Sequence, residues 1–353
     1  MNPLPPFAAV SMAALLAPLA LTPLRERLNP ADLPGVQYFV RVGEYDLHYT
    51  DEGPRDAPVV LLVHGFAAWA FAWRSQRAAL VAAGRRVVTI DLVGYGASPR
   101  PAAPVYSTHD QAQLLLQALD ALEIGTFDVV GHSFGGRVAF QIALLAPQRV
   151  RRVVAICPEA FTVGRPPIAA LARLPLIGQA LSYYILAPSL VGVGLRSLSK
   201  RHDWLTDEVI AGYAAPLYVR GTAAAQVWQA RSPKDGPLPV PENLASIRPP
   251  TLLLWGDGDT VFPLDEGRRL ERILPDARLI VYDRTGHLPY EERAAEVNRD
   301  CLGFCRELRW YNESSKSLHR YLRVGRLLRC RVCSLVQRSH ERYSSGFIRA
   351  RFV

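Results

Sequence analysis

The chain has 353 residues, 49% of them hydrophobic and 21% charged, which suits one large globular domain with an insertion, or two domains, around a sizeable core. Its formal charge of +9 does not make nucleic acid an expected partner of the folded body. The 12 basic and 3 acidic residues from Arg306 onward account for all of that charge and leave the body neutral.

In chain order, Phe7 to Leu24 is uncharged and mostly apolar, with Arg25 and Arg27 following it. It sits at the lower limit of about 17 residues for a span, lacks a basic n-region, and contains Pro18 and Pro23. It reads as an apolar leader (1–34) that packs on the protein or contacts a membrane surface, and a short anchor is the less favoured alternative. "YFVRV" and "YDLHYTDEG" around Gly43 read as a hairpin. "APVVLLVHGF" and "RRVVTIDLVGYGAS" read as strands buried on both faces, with helical spacing from Trp69 to Ala83 between them. Thr108 and Gln111 form a capping box for a helix to Leu122. "FDVVGHS" is another buried strand, followed by a helix from about Gly136 to Ala146 and the strand "RVRRVVAICPEA".

Strands alternating with helices predict an α/β fold, with a mostly parallel central sheet and helices on both faces. From about Phe161 to Ser246 the pattern is helical throughout, and then strands resume with "PPTLLLWGDGD" and "ARLIVYDRTGH" before a closing helix, Ala294 to Leu308. The expected organisation is therefore core segments 35–160 and 247–308, an inserted helical region 161–246, and a basic, poorly ordered tail 309–353. Five cysteines provide no disulfide framework for the body, which fits a reducing, cytoplasmic setting, with membrane association left open through the leader. Cys330 and Cys333 have the spacing of half a zinc site, but an isolated pair is too weak a signal, and neither metal nor cofactor is expected.

The chemistry centres on Gly131-His132-Ser133-Phe134-Gly135, which ends a buried strand and opens a helix. Small residues there permit a tight turn that presents Ser133 at the sheet edge as a nucleophile. A serine needs a base, and His287 in "DRTGHLPYEE" follows the last strand, where a loop brings it above the elbow. "WGDGDTVFP" supplies the orienting acid: Asp259 is favoured over Asp257, with Glu159 a distant third. His132 and His64 lie beside turn glycines and read as structural. The oxyanion donors are the backbone N–H groups of Phe134 and, in "HGF", Phe66. Tyr183, Tyr184, Trp204, Tyr213, Tyr218 and Trp228 are candidates to line an apolar pocket.

"HGF", "DLVGYGAS", "GHSFGG", "WGDGD" and "TGHLPYEE", in that order from about Val36 to Phe304, resemble the α/β-hydrolase superfamily. The resemblance implies a catalytic acid at the second aspartate of the Gly-x-x-Asp turn, here Asp259, and a helical cap over the site, matching 161–246. It implies a serine hydrolase of esterase or lipase type acting on a small apolar ester or related carbonyl compound through an acyl-enzyme. Carbon–carbon bond hydrolases, cofactor-free perhydrolases and ligand receptors with little turnover share the architecture and stay open.

Overall fold

The computed structural model of the chain describes residues 17–18, 20–161, 171–232, 235 and 237–306. The basic tail, with Cys330 and Cys333, and the first part of the leader lie outside the described residues.

Eight strands build one sheet: β1 (Tyr38–Val42), β2 (Tyr45–Glu52), β3 (Val59–Val63), β4 (Arg86–Ile90), β5 (Phe127–His132), β6 (Val150–Ile156), β7 (Thr251–Gly256) and β8 (Ala277–Tyr282). Their spatial order is β1-β2-β4-β3-β5-β6-β7-β8. β1 and β2 form the expected hairpin and meet β4 antiparallel, while β4 through β8 pair in parallel. β3, β4, β5 and β7 are buried along their whole length, which is why they read as continuous apolar runs instead of alternating ones. One core cluster includes Val129, Phe140 and Trp255; a second, including Val130, Val154 and Leu252, packs Trp73 and Tyr290.

The helices are α1 (described at 20–25), α2 (Arg74–Ala82), α3 (Thr108–Ala121), α4 (Phe134–Leu145), α5 (Pro175–Ile185), α6 (Val191–Leu198), α7 (Asp207–Ala214), α8 (Thr222–Arg231), α9 (Val240–Asn243), α10 (Leu264–Ile273), α11 (Pro289–Glu292) and α12 (Ala294–Arg306). Three local expectations are corrected. The capping box of α3 is Ser107 with Asp110, one residue earlier than expected: Asp110 N–H donates to Ser107 Oγ at 3.0 Å, and Ser107 N–H to Asp110 Oδ2 at 3.2 Å. The stretch from Trp69 opens as a 3₁₀ turn, Ala70–Trp73, before α2. α4 starts at Phe134, with Ser133 itself as the residue before its first turn. Cys301 and Cys305 are buried in α12.

α5 to α9 lie between β6 and β7, and among its described residues the insertion contributes no strand to the sheet. The end of the leader is tied to the insertion. Leu28 bridges Val219, and the buried Glu26 carboxylate accepts the Gly221 and Ala223 N–H groups, each at 2.9 Å, at the start of α8. A carboxylate at that end satisfies orphan donors and opposes the positive pole of the helix. Because β3, β5, β7 and β8 run in parallel, the turns that follow them share one edge of the sheet, where Phe66, Ser133, Asp259 and His287 are found.

Candidate active site

Ser133 has φ +53 and ψ −118, a conformation that a side-chain-bearing residue holds only when its surroundings enforce it. The enforcement is visible. Its N–H donates to Ile156 O at 3.0 Å, and its carbonyl accepts from the N–H groups of Gly136, Arg137 and Glu159 at 2.9, 3.2 and 3.0 Å. The turn is thus stitched to β6 on one side and to α4 on the other. The cost of such a backbone is on the order of 1–3 kcal/mol, and it turns the serine side chain toward a cavity.

His287 is held as firmly. Its N–H donates to Leu198 O at 2.7 Å, and its carbonyl accepts from His132 Nε2 at 2.9 Å. Its Nδ1 lies 2.8 Å from Asp259 Oδ2, while Asp259 Oδ1 accepts the N–H groups of Val261 (2.8 Å) and Phe262 (3.0 Å). An ionised carboxylate only accepts, so the proton sits on Nδ1 and Nε2 is left as an acceptor. Ser133 and His287 wall the same cavity, although no hydrogen bond joins them among the described residues.

The other acid candidates have different positions. Asp257 is exposed and accepts the Thr285 N–H at 3.2 Å; burial would raise its carboxyl, but N–H groups of Thr285 and Arg284 outweigh that and hold it below the usual range. Glu159 is fastened by its backbone beside Ser133. The structure brings together Ser133, His287 and Asp259, with Phe66 and Phe134 beside them. Phe134 opens α4, so its N–H has no acceptor within the helix, and Phe66 follows Gly65, whose Cβ position lies 3.2 Å from Ser133 Cβ.

Several contributors were not singled out from sequence. Glu292 is buried and accepts from Gly286, Lys200 and Arg201 N–H groups at 2.8, 2.7 and 2.9 Å, which fixes the His287 loop to the segment that follows α6 in the insertion. Arg74 clasps Glu291 through two bonds (2.7 and 2.8 Å), and Glu291 in turn accepts the Tyr213 hydroxyl at 2.6 Å. The signal for both glutamates lay in the "LPYEE" half of the motif that also holds His287.

The cavity has a volume of about 310 Å³, within the range of small-molecule sites. Its wall is mostly aliphatic, with Ile185, Leu190, Leu195, Leu217 and Val261 prominent, and with the Tyr213 and Tyr290 rings. Of the six aromatic candidates only Tyr213 lines it; Tyr183, Tyr184, Trp204, Tyr218 and Trp228 do not. Burial pushes both cavity phenols well up, so they are neutral hydrogen-bond donors. Cys157, at φ +41 after β6, is also buried, and burial together with the Asp259 charge raises its thiol well above the ordinary value. The ligand atoms of Cys157, Asp259 and His287 lie within 4.8 Å of one another and could hold a cation, but Asp259 and His287 are bonded to each other.

His132 and His64 each bond to backbone: His132 supports the His287 backbone, and His64 Nε2 accepts the Leu92 N–H at 3.0 Å. Burial lowers both pKa values, with His287 adding to the effect at His132 and Asp91 opposing it at His64. A histidine kept neutral by the fold takes up its proton only on unfolding, so the unfolded chain binds more protons below about pH 6.5. Stability should therefore be highest above that pH and fall as the pH drops through it. Thermal melts at about pH 7.5 and about pH 5.5 test this, and a Tm that is unchanged or higher at the lower pH would contradict it.

A serine on a strained strand-to-helix turn, a histidine paired with a buried carboxylate, and a parallel sheet that brings them together define a hydrolase fold. A family model of the alpha/beta hydrolase fold matches residues 58–294, and the chain belongs to that family. Among its relatives is the 2-hydroxy-6-oxononadienedioate/2-hydroxy-6-oxononatrienedioate hydrolase of Paraburkholderia xenovorans (strain LB400), 30% identical over 294 residues, covering 75% of this chain and 94% of that one. Among solved structures, the thermophilic esterase of Thermogutta terrifontis is 26% identical with a TM-score of 0.62, over 77% of this chain and 97% of that one. The meta-cleavage product hydrolase of Pseudomonas fluorescens IP01 is 25% identical with a TM-score of 0.64, over 77% and 98%.

Proposed function

We propose that the protein is a serine hydrolase that cleaves a neutral, apolar carboxylic ester, with the helical insertion acting as the cap of its site. Ser133 Oγ attacks the carbonyl as His287 Nε2 takes its proton, and Asp259 stabilises the resulting imidazolium through Nδ1–H. The N–H groups of Phe66 and Phe134 receive the developing oxyanion. The alcohol leaves with the proton from His287, and water repeats the sequence on the acyl-enzyme.

The observation that carries the ester reading is the cavity wall: among its described residues there is no Lys, Arg, Asp or Glu. A dioate of the kind named for the Paraburkholderia relative would bring two carboxylates to a wall without a cation, at a large desolvation cost. Carbon–carbon bond hydrolysis is the second reading, favoured by that relative and by the Pseudomonas structure, and it uses the same triad.

Hydrolysis of p-nitrophenyl esters from acetate to palmitate, beside loss of absorbance from a 2-hydroxy-6-oxo-dienoate, separates the two. Ester turnover is expected, and Ser133→Ala should lower it by about 10⁴-fold or more. Turnover of the dienoate alone would establish the second reading. A folded enzyme with no turnover of either would support a ligand receptor.

A further inference from the structure

The described end of one uncharged stretch of the chain meets a second uncharged stretch on the helical insertion. Residues 1–24 contain no Lys, Arg, Asp or Glu and end at Arg25; residues 174–195 contain none either and lie between Arg173 and Arg196. The second stretch forms two apolar helices, Pro175–Ile185 and Pro188–Leu198, bent by 46°. Arg25 joins the first to the second. Its Nη1 donates to Tyr183 O at 2.7 Å, and its guanidinium lies 4.2 Å from the Tyr183 ring centroid.

Helices of this composition normally turn their apolar residues inward. Here Ile185 is 67% and Val193 64% exposed, and Leu176 and Leu190 are about half exposed. Leu21 and Leu24, one turn and one residue before Arg25, are exposed as well. Single exposed apolar side chains need no explanation, but a bent helix pair that is apolar on its outer face does.

We propose that this face rests on a lipid bilayer, with α1 and the α5–α6 pair lying in the interfacial plane. Three observations favour lipid over a protein partner. The exposed leucines of α1 end an uncharged stretch that reaches back to residue 1, an amount of apolar sequence suited to an interface. The charges that border the helix pair are basic, with Arg173 just before it, Arg196 in its last turn and Arg25 packed against it, which matches anionic headgroups. Ile185 and Leu190 belong both to the exposed face and to the cavity wall, so a docked protein would stopper the cavity, whereas a fluid bilayer would supply it with apolar solute. Among the described residues no single helix is long and apolar enough to cross a membrane, and the bent pair reaches that length only when its two helices are taken together.

The test is flotation of the full-length protein with phosphatidylcholine vesicles, with and without phosphatidylglycerol. Binding is read without turnover, so its outcome is independent of which bond the enzyme cleaves. The wild type should float, and more tightly with phosphatidylglycerol at low salt. Leu176→Ser/Val193→Ser, at two exposed positions outside the cavity wall, should weaken vesicle affinity on the order of tenfold, and Leu21→Ser/Leu24→Ser should do the same. Turnover of a short soluble ester should stay unchanged in both variants. The proposal is overturned if the wild type does not float or if the Leu176/Val193 variant floats as well as wild type. It is equally overturned if the face is covered by a second copy, seen as a wild-type dimer that the Leu176/Val193 variant turns into a monomer.

Discussion

Asp259→Asn is expected to lower kcat by about 10⁴-fold while Asp257→Asn changes it by no more than a few-fold. The two aspartates are two residues apart in one turn, yet their carboxylates face different partners. Asp259 Oδ1 is filled by the Val261 and Phe262 N–H groups, so only Oδ2 faces His287. An asparagine would keep its carbonyl on those two donors and turn its amide toward Nδ1. The imidazole would then have to accept at Nδ1 and carry its proton on Nε2, the nitrogen that must take the Ser133 proton. Geometry would survive and catalysis would not. Asp257, by contrast, accepts backbone N–H groups, Thr285 at 3.2 Å and Arg284 among them, from an exposed position, and an asparagine oxygen can accept the same kind of bond. Steady-state kinetics on a p-nitrophenyl ester, with Tm measured alongside, decide the matter. A larger loss from Asp257→Asn, or equal losses, would move the acid away from Asp259. Glu159→Gln belongs in the same series, because its carboxylate also follows a strand of this edge.

The carboxylate that pairs with His287 was legible because it lies in the turn that follows β7, a strand marked by its apolar run. Ser133 directly follows β5, which its apolar run marks, and His287 comes five residues after β8, in the loop that leaves it. Burial on both faces makes β3, β5 and β7 nearly free of polar residues, so their ends are sharp in sequence. The insertion offers no such contrast. Leu, Ala, Tyr and Pro occupy both its inner and outer faces, so nothing in the periodicity says that Ile185 and Leu190 face the cavity while Trp228 packs against the core. Hence aromatic residues were overvalued and aliphatic ones missed. The shift of the α3 cap from Thr108 to Ser107 has a similar cause, since two overlapping boxes compete and sequence alone does not rank them. Glu291 and Glu292 escaped notice for another reason: buried carboxylates that hold a distant side chain, as Glu291 does, or backbone N–H groups, as Glu292 does, have no spacing rule, and only the folded loop shows what they hold.

The second large effect is expected from Gly135→Ala. A Cβ at that position would lie 2.3 Å from the carbonyl oxygens of both Val63 and His64, distances that real Cβ atoms do not occupy. Both contacts are backbone, so no side-chain rotation relieves them, and α4 must move away from the end of β3. That end continues into Gly65 and Phe66, the turn assigned to the second oxyanion donor, while α4 carries Phe134, the first. Separating helix from strand therefore pulls the two donors apart. Overpacking of this kind costs roughly 1–3 kcal/mol or more in stability. A displacement of about 1 Å between nucleophile and donors should cost a further 10²-fold in kcat. Gly303→Ala provides the contrast: no atom lies within 4 Å of its added Cβ, and in the interior of α12 the change should be neutral or stabilise by up to about 1 kcal/mol. Urea melts of both variants, read with ester turnover in the folded baseline, separate the two consequences. A Gly135→Ala enzyme with wild-type stability and wild-type kcat would mean that the close approach of α4 to β3 does not set the oxyanion site.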